Sequence, residues 1–193
     1  MNTIYYDETD STNDEAKRLL REGKAGPGAI IEARRQSAGR GRGGSSFFSP
    51  GGGSVYISYI LKPTENPAEQ RVTVFAAVAV CHAIEKTTSY KPAIKGINDV
   101  LVDGRKVCGI LAESIKQGVI LGIGVNINLS ENDFPDEIKE IAGSLHLDEE
   151  TRSIFIKALT EEVFRCMDIA DKPDTDVAAV LMDEYKARCV NSS

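Results

Sequence analysis

Tryptophan is absent from this 193-residue chain, histidine occurs twice and cysteine four times. Each scarcity excludes something. Cys81, Cys108, Cys166 and Cys189 stand far apart, and His82 and His146 fall at none of the usual metal-ligand spacings, so neither a zinc centre nor a Cys/His nucleophile pair is expected. Cys81 lies on an apolar helical pattern and Cys108 in an apolar strand pattern, where thiols are usually buried and inert. No apolar run approaches the roughly 18 residues of a membrane span, and "MNTIYYDETD" has no basic-then-apolar order of a signal peptide. Positive charge is in deficit: at a net charge of −6, the field of the whole molecule offers nothing to attract nucleic acid or an anionic membrane. The chain reads as cytoplasmic, with no nucleic-acid or membrane partner, and any anion site has to be local.

The length suits one domain over residues 1–193, with neither an internal repeat nor a linker. In "DSTNDEAKRLLREGKAGPG", Thr12 is a candidate N-cap with Glu15 three residues on, Ala16, Leu19 and Leu20 share a face, and Gly23 is a stop. A strand-like run, Ala29 to Ala33, follows. Beyond a glycine-rich segment "SVYISYILK" alternates as a strand, with Val55, Ile57 and Tyr59 on one face. The longest helical signal, Val72, Phe75, Ala76, Ala79, Val80, Ala83 and Ile84, predicts a central core helix. In "DVLVDGRKVCGILAESIKQGVILGIGVNIN", Asp103-Gly104 and "KQG" separate β-rich runs and predict three antiparallel strands. From Glu150 to Cys189 the pattern is helical, with Ile154, Phe155, Ala158 and Leu159 on one face, then Val177, Val180, Leu181 and Tyr185. This order predicts an α+β fold with a central mixed, largely antiparallel sheet flanked by helices.

Between Arg34 and Ser54 an acidic chain gathers four arginines and seven glycines. Gly39-x-Gly41-x-x-Gly44 matches the dinucleotide fingerprint in form, yet Pro50 and three glycines follow where that fingerprint needs a helix. No phosphate-binding loop of the G-x-x-x-x-G-K-[ST] type is present. A solvated flexible loop is the plain alternative. Arg40 and Arg42 flank Gly41, however, so two guanidinium groups project from slender backbone, suited to wrapping a phosphate or carboxylate.

"QSAGRGRGG", Gln36 to Gly44, followed by "FFSP", resembles the signature loop of biotin protein ligases. "STN" at Ser11 to Asn13, "KGINDV" at Lys95 to Val100 with "GRKVCGILAE" at Gly104 to Glu113, and "GIGVNIN" at Gly122 to Asn128 agree in order and spacing. The resemblance implies a fold like the class II aminoacyl-tRNA synthetase and biotin synthetase-like group. It implies a ligase that joins biotin and ATP into biotinyl-5′-AMP and passes biotin to a lysine of a biotin carboxyl carrier protein. Catalytic roles fall by resemblance on Lys106, Arg42 and Arg40. Biotin would meet Ser11, Thr12, Asn13, Gln36, Gly39, Arg40, Lys106 and Gly109, and the nucleotide would meet Arg42, Asn98, Asp99, Lys106 and Asn126. Mg²⁺ would ride on the phosphates near Asn98 rather than in a protein cage. A homodimer is a further expectation of the resemblance.

These assignments have plainer counterparts in the residues themselves. Thr12 reads first as a cap, Lys106 as a solvated charge beside a turn, and Asn126 and Asn128 as strand residues in need of hydrogen-bond partners. The chain also departs from the family pattern. Gly96 and Ile97 stand where Trp-Pro is usual, and Gly43, Ser45, Ser46 and Phe47 replace basic residues and a tryptophan. Neither an N-terminal helix-turn-helix domain nor the usual small C-terminal β domain after about residue 189 is expected. A non-catalytic biotin or biotinyl-AMP binding paralogue is one rival, and a lipoate or octanoate ligase or transferase another.

Overall fold

The three-dimensional structure, a computed structural model, describes residues 2–63, 69–172 and 175–190. It divides into two compact units, Met1–Glu69 with Gly109–Asn126, and Gln70–Cys108 with Ile127–Ser193. The strands form a mixed, largely antiparallel sheet, which makes the fold α+β as the element order predicts.

The first unit opens with β1 (Asn2–Thr9), α1 (Thr12–Arg21) and β2 (Ala29–Gln36), and β1 pairs with β2 in parallel. This lone βαβ step needs a crossover, which α1 supplies. β3 (Ser54–Leu61) runs antiparallel to β2, and β7 (Gly118–Asn126) antiparallel to β3. The order is β1-β2-β3-β7-β6, where β6 (Arg105–Ile115) enters this unit from Gly109 onward. Ala16, Leu19 and Leu20 of α1 close over Ala29, Ile31, Ile60 and Ile120, with Ile4 and Tyr6 at the edge. Each fully buried leucine or isoleucine here contributes about 1.5–3 kcal/mol. Gly23, at φ 68, ends α1 as the sequence predicts.

In the second unit the order is β6-β5-β4-β8, with β4 (Ala93–Lys95), β5 (Asp99–Val102) and β8 (Cys189–Val190). Asp103 and Gly104, at φ 52 and 77, make the two-residue turn between β5 and β6. α2 (Glu69–Thr87) is buried without interruption from Val72 to Cys81, as befits a helix apolar on all sides. It is not the longest helix. α3 (Glu149–Ala170) has 22 residues against 19, its mixed composition hiding its length from a pattern based on apolar spacing.

The C-terminal helical pattern breaks into α3 and α4 (Asp176–Arg188), capped by Asp148 and by Thr175, which accept from the N–H groups of Thr151 and Ala178. Of the apolar residues that share these faces, Phe155, Leu159 and Leu181 are buried, but Ile154, Val177 and Val180 are exposed. The buried stripe is narrower than the apolar one, and it includes Ala178 in place of the two valines. Cys189 leaves the helix to pair with Ile94 of β4. Cys81 and Cys108 are fully buried, and burial pushes the Cys81 thiol up to about 12 and raises that of Cys108 further, which makes both inert.

Candidate active site

α1 begins without a side-chain cap. Ser11 stands at the N-cap position in extended conformation, and Thr12 is already the first helical residue, so Thr12 is not the cap its sequence context suggests. Its N–H is donated instead to Gln36 Oε1 at the end of β2, at 2.8 Å, with Thr12 Oγ1 3.1 Å from the same oxygen. Glu15 turns away from the helix start to Arg18 and the Tyr6 hydroxyl. A helix start satisfied by a strand residue fixes Gln36 against Thr12, and Gln36 Nε2 goes on to donate to Ser49 Oγ at 3.0 Å.

From Thr12 a buried polar network runs to β6. Asn13 Nδ2 faces two acceptors, Glu113 Oε2 at 2.8 Å and the Leu111 carbonyl at 3.3 Å. Its Oδ1 therefore accepts the single hydroxyl proton of Ser58, at 2.6 Å. With that proton committed, Ser58 Oγ, 2.8 Å from Thr12 Oγ1, is left to accept. Gly122 of β7 is what admits Asn13, since a Cβ there would lie 2.3 Å from Asn13 Oδ1.

The glycine-arginine segment is ordered by its own backbone. Gly41 N donates to Ser45 O and Phe47 N to Gly39 O, and a single 3-10 turn at Arg42–Gly44 stands where a dinucleotide fold would open a long helix. Phe47 packs against Gly124 of β7, where a Cβ would meet its ring at 2.6 Å. Gly39 is closed in likewise, its missing Cβ replaced by Ser49 Oγ at 2.3 Å and Phe47 O at 2.7 Å.

Arg40 and Arg42 do not project together as a clamp. Arg40 folds back, its Nη2 2.6 Å from Asp14 Oδ1 and about equidistant from both Glu113 oxygens at 3.0 and 3.1 Å, while Arg42 is exposed. The chain supplies its own carboxylates to Arg40, which alternation along the sequence cannot disclose. Glu113 also accepts from Lys17 Nζ at 2.7 Å, so three elements meet on one carboxylate. Burial pushes this carboxyl up, but the hydrogen bonds from Lys17 and Asn13 and the charges of Lys17 and Arg40 outweigh it and hold Glu113 below the ordinary value.

Asn126, at the end of β7, is buried beside Ser54, whose hydroxyl lies 3.4 Å from its Oδ1. In the second unit Lys106 Nζ pairs with Asp99 Oδ1 at 2.8 Å, and Asn98 Nδ2 donates to the same oxygen at 3.0 Å. Lys106 is thus half-buried and ion-paired rather than a freely solvated charge, and its N–H and C=O bond to Ile141 and Gly143. Gly109 lies half-buried on β6.

Within the first unit, then, Ser11, Thr12, Asn13, Gln36, Gly39 and Arg40 fall into one neighbourhood, and within the second Asn98, Asp99 and Lys106 form another. Ser58, Lys17, Asp14 and Glu113 are the participants that sequence motifs left without roles. Glu113 had a signal, a charge inside an otherwise apolar strand run, but its partners lie 73 to 100 residues away.

Comparison with known proteins bears on this arrangement. The chain is 41% identical over 149 residues to the bifunctional ligase/repressor BirA of Bacillus subtilis, covering 74% of this chain and 45% of that protein. It is 30% identical over 143 residues to the biotin--[acetyl-CoA-carboxylase] ligase of Mycobacterium tuberculosis, 72% of this chain and 52% of the relative. The chain thus spans about half the length of these curated relatives. Among solved structures, biotin protein ligase from Aquifex aeolicus in complex with biotin and ATP superposes with a TM-score of 0.70 at 34% identity, covering 85% of this chain and 71% of that one. Another structure of biotin protein ligase from Aquifex aeolicus gives 0.78 at 25% identity over 98% and 78%. Residues 5–130 match the family model for this group, and the chain belongs to the biotin/lipoate A/B protein ligase family.

Proposed function

We propose that this chain is a biotin protein ligase catalytic domain over residues 1–193, which adenylates biotin with ATP and transfers it to a lysine of a biotin carboxyl carrier protein. The observation that carries the reading is the buried polar network at the head of α1. Buried Thr12, Asn13 and Ser58 and half-buried Gln36 gather donors and acceptors that are paired with one another. A ureido ring, which both donates and accepts, can exchange into such a network, whereas an aliphatic acyl or dithiolane tail that displaced one of its bonds would leave polar groups unpaired, which is costly. Similarity to solved ligases holding biotin and ATP supports the same choice.

The first step joins a biotin carboxylate oxygen to the α-phosphorus of ATP and breaks the bond to pyrophosphate. Two anions must approach, so cations at the reacting atoms lower the barrier. Arg42, exposed on its turn, takes phosphate. Lys106 serves the carboxylate and α-phosphate after exchanging its Asp99 partner for them. Asn126 meets the adenine edge. In the second step a carrier lysine amine attacks the mixed anhydride carbonyl, an amide forms and AMP leaves with the acyl-phosphate bond broken.

Mg²⁺ would neutralise phosphate charge when bound. Asn98 and Asp99 fit a phosphate-borne ion: one carboxylate already shared by an ammonium and an amide is a partner for a hydrated ion, not a cage. Relatives named as biotin--[acetyl-CoA-carboxylase] ligases support an acetyl-CoA carboxylase subunit as carrier. Cytoplasmic location and a homodimer complete the proposal. No helix among the described residues is long and apolar enough to cross a membrane.

The test incubates the purified chain with ATP, Mg²⁺ and, separately, biotin, lipoate or octanoate, and detects acyl-adenylate by mass spectrometry. Biotinyl-AMP alone is the expected product. An adenylate of lipoate or octanoate instead would move the chain to the other branch of its family, and no adenylate with retained biotin binding would make it a binding paralogue.

A further inference from the structure

In the second unit α2 and α3 bring together three metal-ligating side chains that biotin chemistry does not use. His82 of α2 and Glu162 and Cys166 of α3, the latter pair one helical turn apart, place a ring nitrogen, a carboxylate oxygen and a sulfur within 4.8 Å of one another. Glu162 and Cys166 are 4% and 0% exposed. Local ligand spacing gives no hint of this, because His82 and Glu162 are 80 residues apart.

A cation already sits where the three converge. Arg165 Nη2 is 2.7 Å from Glu162 Oε2, 2.9 Å from His82 Nδ1 and 3.5 Å from Cys166 Sγ. A guanidinium has only protons to give, so toward it Nδ1 presents a lone pair, and Nε2 carries the ring proton and donates it to Glu184 Oε1 at 2.5 Å. The 3.1 Å separation of Nδ1 from Glu162 Oε2 is then that of two acceptors around one cation. A neutral imidazole with one nitrogen open to a cation and the other N–H on a carboxylate is how metal-binding histidines are held.

The surrounding groups are fixed as well. Arg188 grips Glu184 at 2.7 Å and binds both oxygens of Glu85 at 2.8 and 2.9 Å. Lys86 holds Glu162 Oε1 at 2.5 Å, leaving Oε2 for the cation.

We propose that His82 Nδ1, Glu162 Oε2 and Cys166 Sγ form a binding site for a zinc-class divalent ion, in which Arg165 is a displaceable placeholder. Nitrogen, oxygen and sulfur together select a borderline ion, whereas Mg²⁺ and Ca²⁺ prefer oxygen alone. The Arg165 side chain is 43% exposed and can swing into water. Binding breaks the three contacts of Nη2 and the bond from Arg165 Nε to Glu162 Oε2 at 2.9 Å, forms three metal–ligand bonds with a water in the fourth position, and releases the thiol proton to solvent. The ion would pin α2 to α3, and to α4 through Glu184.

The competing account is a permanent ion-pair network, and the two differ over Arg165. The chain, freed of metal by chelator and dialysis, is titrated with Zn²⁺ by calorimetry and with Co²⁺ by absorption. We expect one ion per chain and a thiolate-to-Co²⁺ charge-transfer band that Cys166→Ser and His82→Ala remove. Glu184→Gln should weaken binding about 10–100-fold, the usual effect of losing an outer partner. Arg165→Ala should tighten it, because the competitor is gone. Failure of both the parent chain and Arg165→Ala to bind Zn²⁺ overturns the proposal, as does binding that survives both Cys166→Ser and His82→Ala unchanged. His82→Ala, at a half-buried position, keeps the test valid if Cys166→Ser disturbs the core.

Discussion

Replacing Glu113 by glutamine keeps the side-chain shape and an acceptor for Asn13, and removes the charge that Lys17 and Arg40 share. Because the folded pKa is depressed, the carboxylate's contribution is complete above the ordinary value of 4.5 and is lost as pH falls through the lower folded value. At neutral pH its removal is felt in full. The Lys17 side chain is 11% exposed and Glu113 23%, so their charge-assisted bond is worth about 1.5–3 kcal/mol. The Arg40 side chain is 39% exposed and its charge is screened, adding under about 1 kcal/mol. Glu113→Gln should therefore cost about 2 kcal/mol, which for a chain of this size lowers Tm by about 4–8 °C. A double-mutant cycle with Lys17→Met, read by urea unfolding at pH 7, should return a coupling of about 1–2 kcal/mol, since a buried ammonium left with only its longer pair to Asp14, at 3.3 Å, costs more than removal of both partners. Additivity of the two changes within about 0.5 kcal/mol would refute the claim that Glu113 is the hub of the network.

Gly39→Ala drives a Cβ to 2.3 Å from Ser49 Oγ and 2.7 Å from the Phe47 carbonyl, the latter unable to rotate away. It should cost about 1–3 kcal/mol and weaken biotin binding by calorimetry, and a variant with the parent's Tm would contradict the close approach. Arg42→Ala should abolish biotinyl-AMP formation with Tm unchanged, and Lys106→Ala should abolish it with a small loss of Tm from the lost Asp99 pair. Adenylation at the parent rate by either would remove that residue from the proposed site. A maleimide at pH 7.5 should label Cys189 alone in the native chain, because the other three thiols are buried, and all four after denaturation. Native labelling of Cys108 would show that its strand opens far more readily than its burial implies.

Periodicity disclosed the elements that bury a wide apolar face. α1, β3, α2 and the β5-β6-β7 meander all carry either a clear stripe or a turn pair such as Asp103-Gly104. β1 escaped because its exposed residues include the aromatic Tyr5 beside Asn2, Thr3, Asp7 and Glu8 and only Ile4 and Tyr6 pack inward, and β4 and β8, at three and two residues, are too short for any period. Ile154, Val177 and Val180 misled in the other direction, since apolar residues on a helix do not say how wide a face the tertiary packing will cover. In the site, the motif segments around Ser11, Gln36, Gly39 and Lys106 were legible, and the glycines Gly122 and Gly124 acquire a steric reason only in three dimensions. The carboxylates that hold Arg40 were not legible, because ion pairs across 26 and 73 residues leave no local pattern.

The two arginines of the loop differ in what the fold puts beside them. Asp14 lies in the first turn of α1, where a carboxylate is favoured by the free N–H groups of the helix start, and Glu113 is held at low pKa by Lys17 and Asn13. These two carboxylates hold Arg40 beside α1 and β6 through screened pairs, each worth under about 1 kcal/mol. An anion that recruits Arg40 has to outbid Asp14 and Glu113, and exchanging one carboxylate for another of similar geometry costs little. Arg42, exposed on its turn, makes no ion pair among the described residues, and on the proposed function it would meet added negative charge directly. On the proposed function, a chain of net charge −6 would need no basic surface to meet an anionic ligand, because its acidic residues hold one cation in place and leave another open.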